Sequence, residues 1–423
     1  MLVWAHLRAA ERLAAGVSSL FGAGSAFAAT QAAWRFLNNP RVSLASLIEP
    51  LRKEGRQRLA QTQAPFGLLV HDWCKLRFDH PRRKRDLATL THSTDIGYEL
   101  TTALLVSADD GSPLAPMEIH LGTGRGGLST RSPSPSPASH LEQVLPTMEA
   151  AHQWDLPKPL VHVIDREADS VDHFRRWNAA GEKFLVRGDD RRVVWNGGSY
   201  LLSEIHQNLF QRKQLRCVGQ GRYQGRLAEI WAVETEVILD RPARKNVADQ
   251  RYEVPGPPLP VRAIFVEVRS KRGNRLAHWK LLSNVPPEWA SSARLALCYY
   301  WRWQIESFFK LLKSHGHQLE QWQQATGSAL ARRLLVAAMA CVVVWRLQAD
   351  RSARAEEFKD FLVRLSGRQT KRGRRHTAPA LLAGLWIFLS MLAVLEHYSL
   401  HDLKHFAAQL PSFDLTSTPN HDV

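Results

Sequence analysis

Tyr299, Arg302, Glu306 and Lys313 stand in the spacing Y-x2-R-x3-E-x6-K, in a stretch that holds no Gly or Pro. Residues Tyr299 to Lys313 are expected to form one helix. At about 100° per residue, the four side chains fall within an arc of roughly 60°. Trp301, Ile305, Phe308 and Leu312 make a second stripe about 120° away, the face that packs. The polar face presents one carboxylate flanked by two cations and a phenol. A carboxylate that binds a divalent ion, beside cations that bind phosphate, suits phosphodiester chemistry. A plainer reading is also open, because Glu306 and Lys310 make an i,i+4 pair of the kind found on any exposed helix.

The spacing resembles the Y-R-E-K signature of bacterial DDE transposases, in the insertion-sequence-four and transposon-five group. The resemblance makes a demand on the rest of the chain: two aspartates upstream, each at the end of a buried strand. Two apolar runs meet it. Phe66-Gly67-Leu68-Leu69-Val70-His71-Asp72-Trp73 ends in Asp72, and Pro159-Leu160-Val161-His162-Val163-Ile164-Asp165 ends in Asp165. Buried strands read as continuous apolar runs, and ligands gather at their carboxyl ends. Taken alone, Asp72 also reads as a turn aspartate, and Trp73 stands where the family usually has a small hydroxyl residue. The Asp-Arg-Glu-Ala-Asp sequence from 165 to 169 closely resembles the family's second-aspartate motif. Glu167 and Asp169 read as capping or ion-pairing groups. Ile96 to Ser107 and Leu114 to Leu121 read as a strand hairpin around Asp109-Asp110-Gly111-Ser112-Pro113. Phe184-Leu185-Val186-Arg187 reads as the next strand and matches the family's strand ending in Val-Arg.

The 423 residues allow two or three domains and a substantial core, and 44% hydrophobic content excludes a disordered chain. A formal net charge of +16 and a pI near 10.0 point to a polyanionic partner, with nucleic acid first and an anionic membrane surface second. Cys74, Cys217, Cys298 and Cys341 are scattered with no C-x-x-C pair, which argues against structural zinc and a disulfide framework. Arg8, Glu11 and Arg12 interrupt the mildly apolar start, so no signal sequence is expected. The apolar run Ala380 to Leu395 is short for a membrane span and is expected to pack in a helical domain.

The expected class is mixed α+β, an α/β RNase H-like core interrupted by a β-rich insertion, with helical N- and C-terminal regions. Residues 1–65 form a helical region, in which glycines break the helices at 20–25 and Ser43 caps a helix running to about Leu59. The core occupies 66–190, the insertion 191–290, the returning core with its signature helix 291–325, and the helical C-terminal region 326–423. The Gly-rich stretch 122–127 lacks the ending of a phosphate-binding loop, and 131–139 is a low-complexity Ser/Pro stretch. Two basic runs, Arg82-Arg83-Lys84-Arg85 and 368–375, read as solvated loops or as contacts to a DNA backbone.

The resemblance covers most of the chain, from about Ala29 to Leu395. It implies cut-and-paste DNA transposition. Asp72, Asp165 and Glu306 would hold two Mg2+ ions, with Mn2+ as a substitute. Strand hydrolysis, hairpin formation, hairpin opening and strand transfer would all run in one site, each a displacement at phosphorus by oxygen. Tyr299, Arg302 and Lys313 would hold the terminal phosphates, and Trp279 would stack on a flipped base. The implied partners are double-stranded DNA, as terminal inverted repeats and as target, and a second copy in a synaptic homodimer paired through the C-terminal helices. No membrane is implied, and the implied location is the bacterial cytoplasm at the nucleoid. The N-terminal region would bind transposon ends and is short for the group. The alternatives are a catalytically inactive, DNA-binding remnant that inhibits its parent, and a related metal-dependent nuclease.

Overall fold

The computed structural model describes residues 26–79, 81–131, 140–212, 214–223, 226–247, 250–368 and 376–409. The glycine break at 20–25, most of the Ser/Pro stretch and the basic residues 369–375 lie outside the described residues. Two helices open the described chain, α1 (Ala26–Asn38) and α2 (Leu44–Ala60). Ser43 caps α2 as expected, accepting from the Ser46 N–H at 3.0 Å. The apolar run after it becomes β1 (Gly67–Leu76). The chain continues through β2 (Ala88–Thr89), β3 (Ile96–Val106), β4 (Pro113–Thr123), β5 (Gly126–Ser129), α3 (Val144–Ala151), β6 (Leu160–Ile164), α4 (Val171–Ala179) and β7 (Phe184–Arg187).

β3 and β4 form the expected antiparallel hairpin. Gly111 turns it with φ 76°, and a Cβ there would meet the Trp301 ring at 2.2 Å, so the position requires glycine twice over. β1 lies between β3, antiparallel to it, and β6, parallel to it, and β7 is parallel to β6. This is the mixed sheet with a hairpin and flanking helices expected of the RNase H-like class.

The following segment holds β8 (Arg192–Trp195), β9 (Gly198–Leu201), α5 (Leu202–Gln211), β10 (Arg216–Tyr223), β11 (Arg226–Leu239), β12 (Ala243–Val247), β13 (Gln250–Val254), β14 (Leu259–Ser270) and β15 (Arg275–Ser283). Most of these strands extend the core sheet. β15 pairs with β7, and the path runs β5-β4-β3-β1-β6-β7-β15-β14-β11-β8-β9 within one 13-stranded sheet among the described residues. One buried cluster, including Leu69, Val70, Leu105, Ile264, Tyr299 and Phe308, packs with the terminal helices. Another, including Ile164, Phe174, Trp177, Phe184 and Phe265, packs with α4 and α5.

The chain closes with α6 (Ser292–Trp301), α7 (Trp303–Leu312), α8 (Gly327–Ala349), α9 (Ala353–Leu365), α10 (Ala378–Leu395) and α11 (Leu400–Ala408). Arg332 on α8 donates to the carbonyls of Leu37 and Val42 at 2.9 and 2.8 Å, tying the N-terminal helices to the C-terminal ones. α8 and α10 are both long and apolar enough to cross a membrane, and α10 adds two residues to the start of the apolar run Ala380 to Leu395. The most apolar window of α8 is 83% buried inside the fold, as in a core helix, and that of α10 is 39% buried.

Candidate active site

Asp72 and Asp165 are neighbours because two strands run parallel in a fixed register. β1 and β6 pair from Gly67 opposite Leu160 to His71 opposite Ile164, and each aspartate is the next residue. Paired strands lie about 4.8 Å apart and residues at one level share a face, so the two carboxylates leave the sheet side by side. β1 runs past Asp72 to Leu76, further than expected. The long hairpin strand β3 goes on offering partners, from Thr102 opposite Asp72 to Tyr98 opposite Leu76. Asp165 does end its strand and caps a short 3-10 turn, accepting from the Arg166 N–H at 2.7 Å.

Glu306 arrives from α7, and here the expectation of one unbroken helix fails. α6 ends at Trp301 and α7 begins at Trp303. The Arg302 N–H bonds to Tyr299 O at 3.1 Å and the Ile305 N–H to Arg302 O at 3.2 Å. These i to i−3 bonds tighten the turn and rotate the side chains further per residue than an α-helix does. Arg302 sits at the joint, and its fork reaches the aspartates of both strands and the glutamate of α7. Ile305, Phe308 and Leu312 pack inward as the apolar stripe requires.

The three acids meet on that fork. Arg302 Nη1 lies 3.1 Å from Asp72 Oδ2, and Nη2 lies 2.7 Å from Glu306 Oε1 and 3.4 Å from Asp165 Oδ2. Tyr299 donates its hydroxyl to Asp165 Oδ1 at 2.9 Å. Arg187, at the end of β7, stands 3.9 Å from the same oxygen.

Burial pushes the Asp72 carboxyl up to about 6, against the pull of Arg302 and the Trp73 N–H. Burial acts on Asp165 in the same sense, but Arg302, the Arg166 N–H, Tyr299 and Arg187 outweigh it and hold that carboxyl below its usual range. For Arg302, burial opposes the charge, while Tyr299, Asp165, Asp72 and Glu306 together keep the guanidinium firmly protonated. Burial and the neighbouring Asp165 charge raise the Tyr299 phenol, so it remains a donor.

The donor set fits a hard divalent cation, since three carboxylates from separate segments turn oxygen atoms to one point. That point is held by the guanidinium. Among the described residues, no group of three or more His, Cys, Asp or Glu side chains is placed to hold a metal ion as it stands.

The other expected site residues are placed differently. Lys313 does not touch the acids. It donates to Lys75 O at 2.9 Å and pairs with Glu320 at 3.1 Å, fixing the end of α7 to β1. Trp279, on β15, meets the Tyr299 ring edge-on with centroids 5.2 Å apart. Arg82, Arg83 and Arg85 are exposed. Lys84 departs from the expected surface run. Its ammonium donates to the Trp322 and Gln324 carbonyls and lies 4.2 Å over the Phe78 ring. Burial, with Arg333 nearby, pushes it down to about 8, so it staples the loop inward.

Two further residues join the site without having been expected there. Arg187 is visible in the sequence as the cation closing the strand beside Asp165. Trp73, directly after Asp72, stacks on His140 with ring centroids 4.1 Å apart and donates to Glu167 Oε2 at 2.8 Å. An aromatic next to a candidate metal ligand is its only signal.

No curated protein matches the sequence. Among solved structures, a cryo-EM structure of piggyBac transposase in a synaptic complex with hairpin DNA is similar, at 12% identity and a TM-score of 0.34. The alignment covers 90% of this chain and 66% of that one, so this chain spans just under two thirds of its length. A family model, the transposase DDE domain, matches residues 132–343, a span that contains Asp165 and Glu306 and begins after Asp72. That span is half of the chain, and the protein belongs to the transposase DDE domain family.

Proposed function

We propose that this chain is a transposase of the Y-R-E-K group, that of insertion sequence four and transposon five, cutting and joining DNA at the ends of a mobile element. One observation carries the reading: Asp72, Asp165 and Glu306, from two neighbouring strands and a helix, turn oxygens to one guanidinium, that of Arg302. Asp72, Asp165 and Glu306 would hold the Mg2+ ions. When bound, such ions activate an attacking oxygen and stabilise a leaving one in an in-line displacement at phosphorus. The chain's own residues do the rest. Tyr299 fixes the orientation of Asp165 through its hydroxyl. Arg302 and Arg187 supply positive charge beside the acids, where bridging phosphate oxygens would lie. Trp279, next to Tyr299, offers a ring for a displaced base.

The same site would serve hydrolysis at the element end, attack of the freed 3′-hydroxyl on the opposite strand to close a hairpin, opening of that hairpin, and joining to target DNA. No covalent enzyme intermediate is needed. Arg82, Arg83 and Arg85 would follow the DNA backbone. The N-terminal helices would bind the element end, and residues 326–423 would pair two copies in the cytoplasm of a bacterium.

The test is incubation of the protein with Mg2+ and a duplex carrying the terminal repeat of the encoding element, beside an Asp165→Ala variant. Release of hairpin or blunt ends by the wild type alone is the expected result. Binding without cleavage, equal in the two proteins, would instead make the chain a DNA-binding remnant. Nicking without hairpin or joining products would make it a plain nuclease.

A further inference from the structure

We infer that the Arg302 guanidinium and a divalent cation compete for the same three carboxylate oxygens, and that a DNA phosphate, by drawing the guanidinium away, admits the metal. This rests on the reading of Asp72, Asp165 and Glu306 as the metal-binding acids.

One oxygen of each aspartate is already engaged by the fold. Asp72 Oδ1 accepts from the Trp73 N–H at 2.9 Å. Asp165 Oδ1 accepts from the Arg166 N–H at 2.7 Å and from the Tyr299 hydroxyl at 2.9 Å. In both aspartates the other oxygen, Oδ2, faces Arg302. Glu306 turns Oε1 to the same group. In both aspartates the oxygen left to coordinate a metal is therefore the one the guanidinium engages. Mg2+ binds oxygen at about 2.0–2.1 Å, closer than a hydrogen-bonded nitrogen can approach. The two cations also repel each other, and the Arg302 side chain is only 9% exposed, so water screens that repulsion little. One occupant excludes the other.

Displacing the guanidinium needs a change of side-chain rotamer and no change of backbone. Arg302 is the joint between α6 and α7, outside the regular ladder of either. Its side chain can change rotamer without breaking a helix. A guanidinium fork matches a phosphate as well as it matches a carboxylate, so a DNA backbone offers it an equivalent partner. Arg302 thus holds the acids together and neutralises part of their charge until DNA arrives.

The test measures Mn2+ binding by electron paramagnetic resonance of the free ion, independent of any cleavage. Wild type, Arg302→Gln and Asp165→Ala are compared with and without a short duplex bearing the element end. Arg302→Gln is expected to bind Mn2+ about tenfold more tightly than wild type without DNA. The duplex is expected to raise wild-type affinity by about tenfold and to change that of Arg302→Gln much less. Melting curves with and without Mn2+ check the fold, and the ion should raise the melting temperature of Arg302→Gln more than that of wild type. Should Arg302→Gln fail to fold, Arg302→Lys replaces it, since one ammonium cannot bridge three acids, and it too should bind Mn2+ more tightly than wild type. Equal affinity in wild type and variant would overturn the competition and leave the transposase reading standing. Weaker binding in the variant would overturn it too, and make Arg302 an orienting group that helps the metal. No Mn2+ binding by any protein, with or without DNA, would remove the metal reading and this inference together.

Discussion

Two buried arginines do opposite work in this molecule. Arg302, at the joint of α6 and α7, faces three carboxylates whose summed charge exceeds its own. Arg333, on α8, lies over the Trp322 ring at 4.1 Å and donates to Gln324 Oε1 at 2.9 Å, both neutral partners. Burial pushes Arg333 down to about 9, while the acids around Arg302 hold its charge in place. His317 lies close enough for the Arg333 charge to disfavour its protonation, and its carbonyl accepts from Trp322 Nε1 at 2.7 Å. The partners of each cation define its role. Arg333 binds its own fold together and has no use for a visitor. Arg302 faces more negative charge than it carries, so on the competition reading a divalent cation can replace it.

The contrast between the two breaks first, and hardest, under acid. Burial, with Arg333 adding to it, pushes His317 down to about 3. The unfolded chain takes up this proton below about 6.5 and the native state resists it, so the stabilisation is complete above that pH and lost as pH falls towards 3. Between about pH 7 and pH 4 the loss from this group is expected to reach about 3 kcal/mol. Urea denaturation at the two pH values should show a smaller difference in His317→Gln than in wild type, and equal differences would refute the assignment. Next in size is Arg333→Met. It keeps most of the volume but loses the ring contact and the bond to Gln324, at about 2 kcal/mol. Its melting temperature should fall by the same amount with and without Mn2+; rescue by the ion would erase the distinction drawn between the two arginines. Smallest is Tyr299→Phe, which removes one hydroxyl donor from Asp165, worth about 1 kcal/mol. Because that hydroxyl serves Oδ1 and the cation face is Oδ2, Mn2+ affinity should move by less than about threefold. A larger change would mean the phenol shapes the metal side of the site as well.

Much of this site is legible in the amino-acid sequence. Asp165 announces itself by an apolar strand and the motif after it, and Glu306 by four residue types at fixed spacing. Asp72 is weaker, because an aspartate after a strand is also a common turn. Its pairing with Asp165 depends on the register of two strands that are distant in sequence. The joint at Arg302 leaves no trace, since no Gly or Pro marks it and a tightened turn needs only an ordinary backbone. Its bridging role depends on partners from three separate segments. Lys84 sits in a run of four cations, and nothing in such a run says which one faces in. The choice is made by carbonyls at Trp322 and Gln324, far along the chain. The β-rich segment is visible as strands, but not as a continuation of the core sheet, because β15 meets β7 across a long excursion of chain.

That meeting has a consequence in time. Ser283 Oγ bonds to Phe184 O across 99 residues, and Leu281 to Ser283 close the edge of β7. A growing chain emerges from its amino end and folds as it comes. The strands carrying Asp72 and Asp165 therefore exist while β7 still presents an open edge and Glu306 has not been made. Such a half-synthesised chain holds two acids without the third and without the arginine that gathers them. On the proposed function it cannot yet cut, and its bare strand edge invites mispairing. The last acid and its restraining cation are translated only four residues apart, so on this reading the ability to cut DNA and the means of holding it in check arrive together.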